Sequence, residues 1–179
     1  ILPSDVARVR AESKNRTTPW TAAEIESALP VLMQSHVGWK TTASHNPVSA
    51  AQGLTLAGWT SGEPQRAGMW FQVELPEAVP VTEVQFDAAG GGRLGGGGGN
   101  RGRGGASAPP PPPIGYARQF RVEVSVDGTT WQPVAEGSGA PLATAAFRPT
   151  RAKFVRITQT ADAPGAPPWV VQNLRVFSR

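Results

Sequence analysis

The side chains best suited to binding are His45 and Asn46, with Trp39 and Trp59 close by in sequence. An imidazole and a carboxamide offer hydrogen-bond donors and acceptors in fixed planes, and an indole offers a flat apolar face. Together they suit a ligand with hydroxyls on its rim and C–H groups on its face, which is the chemistry of a sugar ring. Arg66, Tyr116, Arg118 and Trp169 fall in expected loops or at strand edges and extend the set. The candidate binding residues are therefore His45, Asn46, Trp59, Arg66, Tyr116, Arg118 and Trp169. Each also has an ordinary reading: Trp39 and Trp59 as core or rim packing, His45-Asn46 as side chains that close a backbone turn.

Nothing in the chain points to catalysis. There is no Gly-x-Ser-x-Gly, His-Glu-x-x-His, phosphate-loop or dinucleotide-binding pattern. Glu74 and Arg156 fall on expected strands and read as a cross-sheet ion pair. Asp5, Glu24 and Glu26 lie outside the expected sheets and form no acid–base pair. With two His and no Cys, disulfides and thiolate chemistry are excluded, and a dedicated zinc or iron site is not expected. The chain is expected to be no enzyme, with no catalytic residue and no metal ligand.

The elements that must position these residues are strands. In Tyr116–Val134, Phe120, Val122, Val124 and Val126 alternate with Arg121, Glu123 and Ser125, the period of a strand with one buried face. Asp127-Gly128 supplies a turn, and Trp131 and Val134 follow on a returning strand. Gly68–Leu75 reads as a strand with Met69, Phe71, Val73 and Leu75 inward and Trp70, Gln72 and Glu74 outward, ended by Pro76. Trp70 and Trp131 read as packing residues. Val81–Ala88 is the next strand, with Val84 and Phe86 inward. Thr144–Phe147 is short and ends at Pro149. Lys153–Thr160, with Val155 and Ile157 on one face, and Trp169–Phe177 complete the set, and a short strand is expected within Val37–Ala43. Thr21-Ala22-Ala23-Glu24 has capping-box spacing for a short helix over residues 22–28. Seven or eight short strands with almost no helix and no βαβ rhythm give an all-β, antiparallel two-sheet β-sandwich. The expected division is an N-terminal arm over residues 1–35 and a sandwich over 36–179.

The 179 residues carry a net charge of +4, which raises the question of nucleic acid. The excess is local. Between Ala89 and Pro113 lie eleven Gly, five Pro and three Arg (Arg93, Arg101, Arg103) with no acid; outside it stand 14 basic and 13 acidic residues. Such composition cannot bury enough apolar surface to offset its backbone entropy, so the segment is expected to be a disordered loop inside one domain. Asn100–Gly105 resembles RNA-binding Arg-Gly repeats, but it lacks the interleaved aromatics that stack bases, and no nucleic-acid partner is expected. No apolar run is long enough for a transmembrane helix. Ile1 is not a natural start, so a piece of something longer is expected.

Three blocks carry a family resemblance. GMWFQVEL, QFRVEVSVDGTTWQPV, and RAKFVRITQT followed by WVVQNLRVF resemble, in order, strands of discoidin (coagulation-factor C-type) domains, whose family includes the family 32 carbohydrate-binding modules. The resemblance covers roughly Val37 to Phe177. It implies an eight-stranded jelly roll that binds carbohydrate through loops at one end, without catalysis, within a larger exported bacterial protein; an extracytoplasmic location follows. The alternative is a structural domain that packs against other domains of its parent chain. Many relatives hold a structural Ca²⁺ in the loop before the GMWF strand. Here Gln52 stands at the usual Asp, Ala57-Gly58 at the usual Thr-Arg, and Asn173 at the acid of the last strand. That donor set disfavours calcium, and no cofactor is expected.

Overall fold

The computed structural model describes residues 21, 23–24, 29–88 and 114–179. Residues 1–20 of the expected arm, residues 22 and 25–28 of its expected helix and the segment 89–113 lie outside the described residues. At the start of that helix the capping box is formed: the Glu24 amide donates to Thr21 Oγ1 at 3.2 Å, and the Thr21 amide donates to Glu24 Oε2 at 2.9 Å.

Among the described residues eight strands follow: β1 (Val31–Leu32), β2 (Lys40–Ala43), β3 (Trp59–Thr60), β4 (Trp70–Asp87), β5 (Gln119–Ser125), β6 (Gln132–Ser138), β7 (Leu142–Gln159) and β8 (Val170–Ser178). A 3-10 helix, Pro47–Leu54, lies between β2 and β3. Every pairing is antiparallel, in the order β1-β8-β4-β7-β5-β6, with β2 on β4 and β3 on β8. This is the antiparallel β-sandwich read from the sequence.

Two expectations about strand ends change. Pro76 and Pro149 do not terminate strands. β4 and β7 each run 18 residues, and the prolines fall where their pairing is irregular, between Glu74/Val79 and between Val81/Glu83 on β4. A proline lacks an N–H, so it is tolerated where the ladder already skips a bond, and a bulge there bends the strand. The bend lets both strands serve two layers. Trp70–Glu74 and Phe154–Gln159 sit with β2, β5 and β6; Val81–Asp87 and Leu142–Thr150 sit with β8. The sheet also begins earlier than expected, because Val31–Leu32 pair with Ser178 and Phe177.

Between the layers lie Phe71, Val73, Leu75, Phe120, Val122, Val124, Val155 and Ile157 from one side and Val84, Phe86, Val171, Leu174 and Val176 from the other, all buried. Phe86 meets Phe120 edge-on across the layers at 5.2 Å. Each such side chain stabilises the fold by roughly 1.5–3 kcal/mol. Val126, expected to face inward with Val122 and Val124, is 51% exposed, because β5 ends at Ser125 and the turn begins.

The outer face of the first layer explains Trp70 and Trp131. The Arg156 guanidinium lies 3.8 Å from the Trp131 ring centroid and 4.7 Å from that of Trp70, and its Nε and Nη2 donate to Gln72 Oε1 at 3.1 and 2.8 Å. Arg156 therefore pairs with Gln72, while Glu74, its expected partner, pairs with Lys153 at 3.0 Å and Lys40 at 3.6 Å. The Lys153 hydrogen bond is the main influence holding the Glu74 carboxyl below its ordinary pKa.

In the β5–β6 turn, Asp127 accepts from the amides of Thr130 and Thr129 (both 2.8 Å) and from the Ser125 hydroxyl (2.9 Å). These bonds favour the carboxylate and hold its pKa far below the ordinary value. A depressed folded-state pKa stabilises the fold fully above the unfolded-state value of about 3.9, and the contribution fades as pH falls below it. The difference in melting temperature between wild type and Asp127→Asn should hold steady above about pH 4 and narrow below it. A difference that stays flat to pH 2 would show that the charge contributes nothing.

Candidate functional site

The end of β2, the start of β4, the start of β5 and the end of β7 meet at one end of the sandwich: Ala43 pairs with Phe71, Trp70 with Thr158, and Phe120 with Gln159. The start of β8 joins them through Val170, whose amide donates to Gly115 O at 2.7 Å. The loops carrying His45, Asn46, Arg66, Tyr116, Arg118 and Trp169 therefore gather at this end.

They do not form one uniform group. His45 is half-buried. Its Nδ1 lies 2.8 Å from the Ser44 hydroxyl, and its Nε2 faces Glu63 Oε2 at 3.7 Å. The Ser44 hydroxyl also donates to Trp70 O at 3.3 Å and accepts from the Trp70 amide at 2.9 Å, which ties His45 to the start of β4. Asn46 is exposed, has left-handed φ (46°), and donates from Nδ2 to Thr60 O at 3.0 Å. Asn tolerates that backbone better than most residues. Asn46 thus closes a turn and still presents its edge beside His45. Glu63 carries no sequence signal of its own; only the β3–β4 loop brings it to His45.

Tyr116 and Arg118 form a second pair. The guanidinium lies 3.7 Å from the Tyr116 ring centroid, and Nη2 reaches Ile114 O at 3.4 Å. Arg66 is exposed on the turn into β4, where its carbonyl accepts from the Met69 amide at 3.3 Å.

Trp59 and Trp169 offer no face to a ligand. Both are 0% exposed and meet edge-to-face at 5.3 Å, with Phe71 at 5.2 Å from Trp59. Pairing of Trp59 with Val171 carries its indole between the layers. Trp59 serves the site from beneath: Nε1 donates to His45 O at 3.0 Å and to Asn46 O at 3.3 Å, which fixes the backbone that presents both side chains. Trp39, just before β2, belongs to the opposite end, where Gly38 packs on Pro76.

The residue that holds the loops together was invisible in the sequence. Gln65 is fully buried. Its Nε2 donates to Tyr116 O at 3.0 Å and to Pro167 O at 2.8 Å, and its Oε1 accepts from Gln159 Nε2 at 2.7 Å. Two carbonyl partners require the NH₂ on that side, so the amide orientation is fixed. One side chain thus ties the loop of Glu63 and Arg66 to the loops of Tyr116 and Trp169. Nearby, Gly139 donates to Arg118 O at 3.0 Å and approaches so closely that a Cβ would fall 1.3 Å from Ala117 O. Only glycine fits there.

A separate groove of about 340 Å³ opens beside the β5–β6 turn, lined by Val124, Asp127, Thr130, Gln132 and Arg151 among others, and none of the sequence-predicted residues lines it. Among the described residues no three His, Cys, Asp or Glu cluster to hold a metal ion.

No protein-family model and no curated protein matches the chain. Solved structures do. A family 32 carbohydrate-binding module from Clostridium perfringens, in complex with GalNAc-β-1,3-galactose, aligns at TM-score 0.58 with 17% identity over 83% of this chain and 100% of that one. The family 32 module of C. perfringens NanJ, in complex with galactose, aligns at 0.59 with 17% identity over 84% and 100%. An F5/8 type C domain from Bacteroides fragilis aligns at 0.54 with 14% identity over 84% and 97%. The chain has the fold of family 32 modules and discoidin domains, the family its sequence blocks resemble.

Replacing Gln65 with Leu removes donors from two backbone carbonyls and an acceptor from Gln159. Unmade bonds of this kind cost about 1–3 kcal/mol each and three are lost, so Gln65→Leu should lose about 3 kcal/mol or more in urea unfolding. A loss under half a kilocalorie would mean that the three loops hold without it.

Proposed function

We infer that this domain is a non-catalytic carbohydrate-binding module, carried outside the cytoplasm on a longer protein, with the sandwich from Val31 onward as the binding unit. The observation that carries the reading is the His45–Glu63–Asn46 group at the loop end of this fold. At 3.7 Å, His45 Nε2 and Glu63 Oε2 are too far apart for a good hydrogen bond to each other. They are well spaced to share one ligand hydroxyl, which accepts from the imidazole and donates to the carboxylate. Asn46 adds an amide edge, and Arg66 and the Tyr116–Arg118 pair extend the polar surface. The sugar complexes of the structural neighbours support the same class of ligand. Among the described residues no helix is long and apolar enough to cross a membrane.

A second reading, a domain that docks on its parent chain, is favoured by Val48 and Leu56, which are 100% and 76% exposed on and just after the 3-10 helix. Cross-linking of the longer protein separates the two, since docking would cover this segment.

Calorimetry with galactose, GalNAc-β-1,3-galactose and chitosan oligosaccharides tests the primary reading. One of these, or another member of a broad glycan panel, should bind, and His45→Ala should weaken that binding by about tenfold, or ~1.4 kcal/mol, at unchanged melting temperature. A folded wild-type domain that binds nothing across the panel would sink it.

A further inference from the structure

We propose that the Gln172 carboxamide does the work of a cation in the loop from Gln52 to Trp59, making Gln172 the residue that positions this side of the loop end. Three carbonyls of the loop are engaged by N–H and O–H donors. Gln52 O accepts from the Thr55 amide (2.9 Å), the Thr55 hydroxyl (2.9 Å) and the Gly58 amide (3.2 Å). Thr55 O accepts from the Asn173 amide at 2.9 Å, and Leu56 O accepts from Gln172 Nε2. Backbone carbonyls are what a hard divalent ion collects, provided that carboxylates add negative charge.

Here the charge is missing and the carbonyls are taken by N–H and O–H groups. Asp87 is the carboxylate in contact with this part of β8, and its oxygens are held by Arg175 at 2.8 Å and Asn173 Nδ2 at 3.0 Å. An amide N–H cannot ligate a cation, so the donor set does not fit calcium. β8 is shaped for the substitute. Asn173 has left-handed φ (49°) beside the pairing irregularity between Gln85 and Asp87, so two consecutive residues of β8 donate to consecutive carbonyls of the loop. Gly58 leaves room for this, since a Cβ there would sit 3.3 Å from Gln172 Cβ. The anchored loop ends at Trp59, whose indole fixes His45 and Asn46.

The test is thermal unfolding of the whole chain in EDTA and in 1–10 mM Ca²⁺, a readout that needs no sugar. Wild type should melt at the same temperature in both. Gln172→Ala should melt roughly 3–6 °C lower in both, as expected for one lost anchor in a domain of this size. Gln172→Glu puts a carboxylate opposite Leu56 O; it should be destabilised in EDTA and regain most of the loss in millimolar Ca²⁺, which a merely structural role would not produce. Should that variant fail to fold, wild type and Gln172→Ala decide the matter alone. Stabilisation of wild type by Ca²⁺, a Gln172→Ala that melts with wild type, or a folded Gln172→Glu indifferent to Ca²⁺ would each overturn the proposal.

Discussion

The pairing of β4 with β7 is the constraint on which the rest depends. The two strands run side by side from Trp70 opposite Thr158 to Asp87 opposite Leu142, and every other strand reaches them directly or through one neighbour. Because they bend together where Pro76 and Pro149 interrupt the ladder, one continuous sheet becomes two facing layers with an interior. The layers are then covalently continuous and cannot slide past each other. The spacing of the loops at the far end follows from that geometry before any loop residue is considered.

The scaffold was legible where local chemistry and tertiary context agree. Phe120, Val122 and Val124 alternate in the sequence and are buried in the fold, as are Phe71, Val73 and Leu75. Legibility failed where a local signal has two outcomes. A proline ends a strand or sits in a bulge, and only the partner strand decides which; Pro76 and Pro149 took the second course. A tryptophan in a loop-rich stretch reads equally as platform or core, and the pairing of Trp59 with Val171, over a hundred residues on, made it core. Gln65 had no signal at all. A glutamine between Pro64 and Arg66 becomes a structural hub only when the three loops around it are folded.

The loop end therefore combines two kinds of residue. Trp59, Trp169 and Gln65 lie underneath, fully buried, and hold the backbone. His45, Asn46, Glu63 and Arg66 lie above and keep polar atoms toward solvent. This division accounts for a fold shared with structures at 14–17% identity. What such a fold requires is a buried alternation and a few anchors, and neither prescribes the side chains on top.

The Gln65 knot has a consequence for how such a surface changes over time. Its bonds go to the backbone carbonyls of Tyr116 and Pro167, which every residue type possesses, so the anchor is blind to the side chains at those positions. The bond to Tyr116 O thus survives a change of side chain at that position. The frame at this end and the side chains above it can therefore change separately: a designer can randomise exposed positions such as Arg66 as a library on a fixed base.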